Sequence, residues 1–94
     1  MALRFSVCIE MIFADRPFEE RIDAVAKAGY EAIEFWGWRN KDIDAIRRRA
    51  EAAGVTIAGF VCEAPGALVN PADRDAWLQG AKESIDLAAS MAVK

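Results

Sequence analysis

Two stretches of this chain repeat one pattern. Ala24, Val25, Ala26, Lys27, Ala28 and Gly29 lead into Tyr30, Glu31, Ala32, Ile33, Glu34 and Phe35. Arg49, Ala50, Glu51, Ala52, Ala53 and Gly54 lead into Val55, Thr56, Ile57, Ala58, Gly59 and Phe60. Each copy reads as the tail of an Ala-rich helix, a glycine at the stop, and a short apolar strand. Glycine suits the stop because the residue after a helix often takes positive φ, which only glycine adopts at no steric cost. A weaker third copy runs from Leu87 to Lys94, with Ala92 in the glycine's place. The repeating unit is therefore βα, and the chain holds three of them. A fourth strand is expected where the chain stops, so the reading is of a piece of a larger protein.

Each unit takes about 31 of the 94 residues, at roughly 3–30, 31–54 and 55–94, within a single partial domain. Leu3 to Phe13 alternates as a strand, with Phe5, Val7, Ile9 and Met11 on one face. Asp15 caps the next helix, Pro17 sits in its first turn, and Phe18, Ile22, Val25, Ala26 and Gly29 form its stripe. Glu19, Glu20, Arg21, Asp23 and Lys27 cover its outside. A second strand spans Ala32 to Trp38. Asn40 or Asp42 opens a second helix, packed through Ile43, Ile46, Ala50 and Ala53. The third strand, Val55 to Cys62, is nearly free of polar residues, as for a parallel strand buried on both faces. After a loop holding Pro65 and Gly66, Asn70 and Pro71 start the last helix, with Trp77, Ala81, Ile85, Ala88 and Met91 on its packed face.

Strands alternating with amphipathic helices imply an α/β fold with a parallel sheet. The unit length is that of a TIM (β/α)₈ barrel, whose usual size is ~250 residues. This chain then supplies the first three βα units. A doubly wound sheet is the runner-up, but it usually carries a glycine-rich loop after its first strand, and 11–15 has no glycine.

Composition narrows the function. With 54% hydrophobic and 29% charged residues the chain is globular. Net charge is −3 with mixed signs, so nucleic acid has little electrostatic hold. No apolar run reaches the ~20 residues of a membrane span, and Met1 to Phe5 is no signal peptide. Cys8 and Cys62 lie in strands and read as buried reduced thiols, which points to the cytoplasm. Histidine is absent, which removes Ser-His and Cys-His catalysis and His-ligated metals from these residues.

In a barrel, one strand face meets the outer helices and the other looks inward. Phe5, Val7, Ile9 and Met11, then Ile33 and Phe35, then Ile57, Gly59 and Val61 are expected on the helix side. Ser6, Cys8 and Glu10, then Glu34, Trp36 and Trp38, then Ala58, Phe60 and Cys62 point inward, with Glu63 at the rim. Barrel active sites lie at the carboxyl ends of the strands, so Glu10, Glu34 and Glu63 converge there as substrate-binding candidates, with Trp36 as a wall. Carboxylates gathered in a partly apolar mouth can act as bases or hold a cation; they can equally stand solvated at strand ends.

Three pieces carry a family resemblance: Leu3 to Ser6, Met11 to Phe13, and Phe18 to Trp36. In the last, Phe18, Arg21, Ile22, Ala24, Ala28, Gly29, Tyr30, Ala32, Ile33, Glu34, Phe35 and Trp36 match. Together they resemble the amino-terminal part of the hydroxypyruvate isomerase family, xylose-isomerase-like TIM barrels among the sugar isomerases and epimerases. The resemblance implies aldose–ketose isomerisation of a small sugar or keto acid, hydroxypyruvate to tartronate semialdehyde. It implies a divalent metal, Mg or Mn, holding an enediolate in the full-length parent while a glutamate moves the proton. The family's metal ligands and catalytic glutamates lie on later strands, so the 94 residues alone are expected to bind no metal and to be inactive. At the end of strand three many relatives carry His or Asn, where this chain has Cys62, Glu63, Ala64 and Pro65. A sugar 3-epimerase and a non-catalytic self-assembling β-α module are the alternatives. With open sheet edges, the isolated chain is expected to self-associate.

Overall fold

A computed structural model describes residues 3–93; Met1 and Ala2 at the start, and Lys94 in the third repeat, lie outside the described residues. The element order is β1 (Ser6–Cys8), α1 (Phe18–Lys27), β2 (Ala32–Phe35), α2 (Ile43–Ala53), β3 (Thr56–Phe60), a 3₁₀ turn (Pro71–Asp73) and α3 (Arg74–Ser90). The strands lie parallel in the order β1-β2-β3. Among the described residues no helix is long and apolar enough to cross a membrane.

The repeat is reproduced down to single hydrogen bonds. Past each helix the chain turns through one left-handed residue: Gly29 at φ 94°, Gly54 at 72° and Ala92 at 57°. The Tyr30, Val55 and Val93 amides then donate to the Val25, Ala50 and Ala88 carbonyls at 3.2, 2.9 and 3.0 Å. Such a paired closure satisfies carbonyls that the helix end leaves open. Alanine completes the third copy despite its Cβ.

The core lies between the sheet and α1 and α2. Val7, Ile9, Ile33 and Phe35 meet Ile22, Val25, Ile46, Ala50 and Val55. Each fully buried Ile or Phe contributes about 1.5–3 kcal/mol. Arg49 ties α2 to α1 through Asp23 at 2.6 and 2.8 Å. That bond holds the Asp23 carboxyl below its ordinary value. Asp42 caps α2 by accepting the Ala45 amide, and Asn70 accepts the Ala72 amide, as their positions predict.

Several expectations are corrected. The strands are shorter than their alternation suggests, because β1 turns directly after Cys8 and the Met11 amide folds back to the Cys8 carbonyl. Phe5, ahead of β1, and Met11, in the turn after it, are 60% and 65% exposed instead of packed on helices. Pro17, not Asp15, stands at the start of α1, without a side-chain cap. Arg21 does not merely cover the helix. It reaches back to the carbonyls of Ile9, Ala14 and Arg16 and pins the β1–α1 loop.

A β-bulge changes β3. Ile57 pairs with Ile33, but Gly59 pairs with Glu34 and Phe60 with Phe35, so Ala58 is the extra residue. The insertion reverses the alternation. Phe60 therefore stacks on Phe35, with centroids 5.5 Å apart on the helix side, where an inward position was expected. On α3 the buried residues are Gly80, Ala81 and Ser84, and Ile85 is 66% exposed. The thiols are free but not deeply buried: Cys8 is half-buried and Cys62 exposed.

Candidate functional site at the carboxyl ends of the strands

The helices cover one face of the sheet and leave the other open. Register places Cys8, Glu34 and Gly59 in one row across it. Glu34 sits between buried Ile33 and Phe35 and is itself exposed, so it stands on the open face. Among the described residues no basic side chain pairs with it. Trp36 follows just past the strand, half exposed at 51%.

Glu10 does not project freely beside them. Its Oε2 accepts the Trp36 backbone N–H at 2.8 Å and meets Lys41 Nζ at 2.8 Å. Both side chains are largely buried, 15% and 10% exposed. The Lys41 ammonium also donates to the Gly37 carbonyl and, at 3.4 Å, to Asn40 Oδ1. The rings of Phe18 and Phe35 lie 5.1 and 5.7 Å from it.

Glu63 holds the same loop from the other side. Its Oε2 accepts the Trp38 and Arg39 backbone N–H groups at 2.7 and 2.8 Å. Successive amides aimed at one carboxylate form a small anion nest. The Arg39 amide above all, with the Trp38 amide and the Arg39 and Lys41 charges, holds the Glu63 carboxyl below its ordinary value against the opposing cost of burial. The carboxylate lies so close that a Cβ on Gly37 would stand 3.0 Å from Oε2, which accounts for glycine there. Arg39 stacks over the Trp38 ring at 4.3 Å and reaches Glu83 on α3 at 2.7 Å.

Three of the four predicted site residues, Glu10, Trp36 and Glu63, thus meet at the β2–α2 loop, whereas Glu34 stands apart on the open face. Trp38, expected toward the mouth, turns to the helix side and donates from Nε1 to Ser84. The sequence reading gave no role to Lys41, Arg39 or Ser84. Lys41 did leave a signal: it directly precedes the cap of α2, where the positive end of the helix disfavours a cation that lacks a carboxylate partner.

An open cleft of about 460 Å³ lies beside this loop, walled by Arg39, Glu63, Pro65, Gln79 and Glu83. Its charged groups are already engaged, Arg39 with Glu83 and the Glu63 carboxylate with the Trp38 and Arg39 amides. Among the described residues no three His, Cys, Asp or Glu side chains gather in the way a metal ion requires, so these residues do not by themselves fit the divalent metal that the resemblance implies. Among the described residues the open face offers an unpaired carboxylate at Glu34 and small neighbours at Cys8 and Gly59, with the half-exposed Trp36 just past the strand end. Such a face can accept hydroxyl protons and stack a small carbon skeleton.

No protein-family model matches the chain. A Streptomyces coelicolor protein provisionally named a hydroxypyruvate isomerase is 35% identical over 102 residues, covering 95% of this chain and 36% of that protein. A crystal structure described as AP endonuclease, family 2, from Brucella melitensis superposes with a TM-score of 0.84 at 21% identity. It covers 96% of this chain and 38% of that one. At that identity the likeness concerns the fold alone. The chain spans little more than a third of either relative's length. It resembles the hydroxypyruvate isomerase family in sequence, and its three βα units have the architecture of a TIM barrel.

Proposed function

We propose that these residues form the first three βα units of a sugar isomerase/epimerase barrel that interconverts hydroxypyruvate and tartronate semialdehyde. The observation that carries this reading is the 35% identity to the provisionally named isomerase over 95% of the chain. The reaction moves one carbon-bound proton to the neighbouring carbon and shifts a hydroxyl proton between the two oxygens, with no net gain or loss of atoms or electrons. Glu34 and Trp36 serve as pocket wall: Glu34 accepts a substrate hydroxyl proton in a hydrogen bond, and Trp36 covers the carbon skeleton. The proton-moving glutamates and the ligands of a Mg or Mn ion belong to the rest of the barrel. The 94 residues alone are inactive in this reading.

The test is Glu34→Gln in the full-length protein, assayed on hydroxypyruvate. Catalytic efficiency is expected to fall about tenfold or more, the effect of losing one charge-assisted hydrogen bond of about 1.4 kcal/mol or more, while the melting temperature holds. Unchanged turnover with a lower melting temperature makes Glu34 structural. Turnover of a ketohexose at carbon three, with none of hydroxypyruvate, moves the assignment to a 3-epimerase.

A further inference from the structure

The Glu10–Lys41 pair is unlike the other ion pairs among the described residues. Arg4–Glu31 is 70% and 55% exposed, and such surface pairs contribute about 0–1 kcal/mol. Lys41 and Glu10 are 10% and 15% exposed, and the ammonium rests against two phenyl rings. Drawing two charges out of water is costly, and replacing a buried pair by apolar side chains is often neutral for stability. Stability alone is therefore a weak account of the pair. Its bonding points elsewhere. The three protons of Lys41 go to Glu10 on the β1–α1 loop and to Gly37 and Asn40 on its own loop. The Glu10 oxygen that meets Lys41 is also the acceptor of the Trp36 amide, two residues past Glu34. One carboxylate oxygen thus joins the ends of β1 and β2 at the point where the pocket-facing residues leave the sheet.

We propose that Glu10 and Lys41 are positioning residues: they fix the Trp36 backbone and thereby hold the Trp36 ring and the Glu34 carboxylate in register for substrate, without touching substrate themselves. The inference rests on the pocket role given above to Glu34 and Trp36. Its chemistry differs from that of a general base. A base needs an ionisable carboxyl, whereas a strap needs only an acceptor oxygen at this position, which an amide also supplies.

The test uses Glu10→Gln, Glu10→Ala and Lys41→Met in the full-length protein, with two readouts. The first is hydrogen exchange at the Trp36 amide by fragmentation mass spectrometry. The second is the split between KM and kcat on hydroxypyruvate. Glu10→Ala and Lys41→Met are expected to speed exchange at Trp36 about tenfold or more and to raise KM about tenfold, with kcat changed less. Glu10→Gln is expected to retain most of the protection and most of the affinity. Loss of kcat in Glu10→Gln equal to that in Glu10→Ala, with Lys41→Met near normal, overturns the proposal by making Glu10 a direct participant. Unchanged Trp36 exchange in Glu10→Ala overturns it as well. If the parent turns over no hydroxypyruvate, the isomerase reading falls while the exchange result still decides whether the strap exists.

Discussion

The indole Nε1–H of Trp38 donates to the Ser84 hydroxyl at 2.9 Å, joining residues 46 apart in the chain. Ser84 Oγ also accepts the Glu63 amide at 3.1 Å and donates to the Gly80 carbonyl at 3.0 Å. One buried hydroxyl thus fastens α3 to the ends of β2 and β3. Replacing it with alanine leaves the indole N–H and the Glu63 amide without this acceptor. Ser84→Ala is expected to lose about 1–3 kcal/mol, the cost of buried donors left unmade. Urea unfolding measures it, and a loss below a few tenths of a kcal/mol removes the fastening role.

Gly80 lies one turn earlier on the same helix. In an exposed helix interior, changing glycine to alanine gains about 0.5–1 kcal/mol. Here a Cβ would stand 2.7 Å from Ala64 Cα and 2.9 Å from Pro65 Cδ. Backbone cannot yield cheaply, so overpacking wins by about 1–3 kcal/mol. Gly80→Ala is expected to lower the melting temperature; a rise shows that the β3–α3 loop moves aside at little cost.

The three helix stops offer a paired test. A Cβ at a left-handed position costs roughly 1–2 kcal/mol, partly offset by the lower unfolded-state entropy of alanine. Gly54→Ala is expected to destabilise by about 1 kcal/mol, and Ala92→Gly to stabilise by about 0.5 kcal/mol. Opposite signs in thermal unfolding of the two variants are the outcome expected; equal signs contradict the equivalence of the repeats.

Acid should loosen the mouth. The backbone amides of Arg39 and Trp38 lower the Glu63 carboxyl, and side-chain bonds from Arg39 and Arg49 lower Glu83 and Asp23. A folded-state value below the unfolded one gives stability that is full above the unfolded value and is lost as pH falls through the folded one. Stability is thus expected to hold at neutral pH and to decline as pH drops below the ordinary glutamate value of 4.5. Glu63→Gln should make the acid decline shallower, because it removes one proton uptake. An identical slope in the variant places the linked groups elsewhere.

The isolated 94 residues are expected to self-associate. Phe5, Met11, Val61 and Ile85 are 60%, 65%, 51% and 66% exposed, and the two outer strands have open edges. Burial at roughly 25 cal/mol per Å² makes several hundred Å² of such surface worth many kcal/mol. Sedimentation at micromolar concentration checks it, and a single compact monomer rules it out.

What the residues determined by themselves is local and periodic. The glycine stops, the caps at Asp42 and Asn70, and the buried faces of α1 and α2 follow from helix geometry and φ limits, which depend on near neighbours. The same repeat gave the βα order and, through the matched residues from Phe18 to Trp36, the family resemblance. The remainder was decided between distant segments. The bulge at Ala58 turns Phe60 onto Phe35 because two strands settle register by packing, a term absent from either strand's own pattern. Glu10 and Glu63 read in sequence as free strand-end carboxylates. They are bonded because Trp36, Trp38, Arg39 and Lys41 are brought within reach of them only when the three strands lie side by side. Glu34 alone keeps the open-face place that alternation assigns it, since no basic side chain among the described residues reaches it.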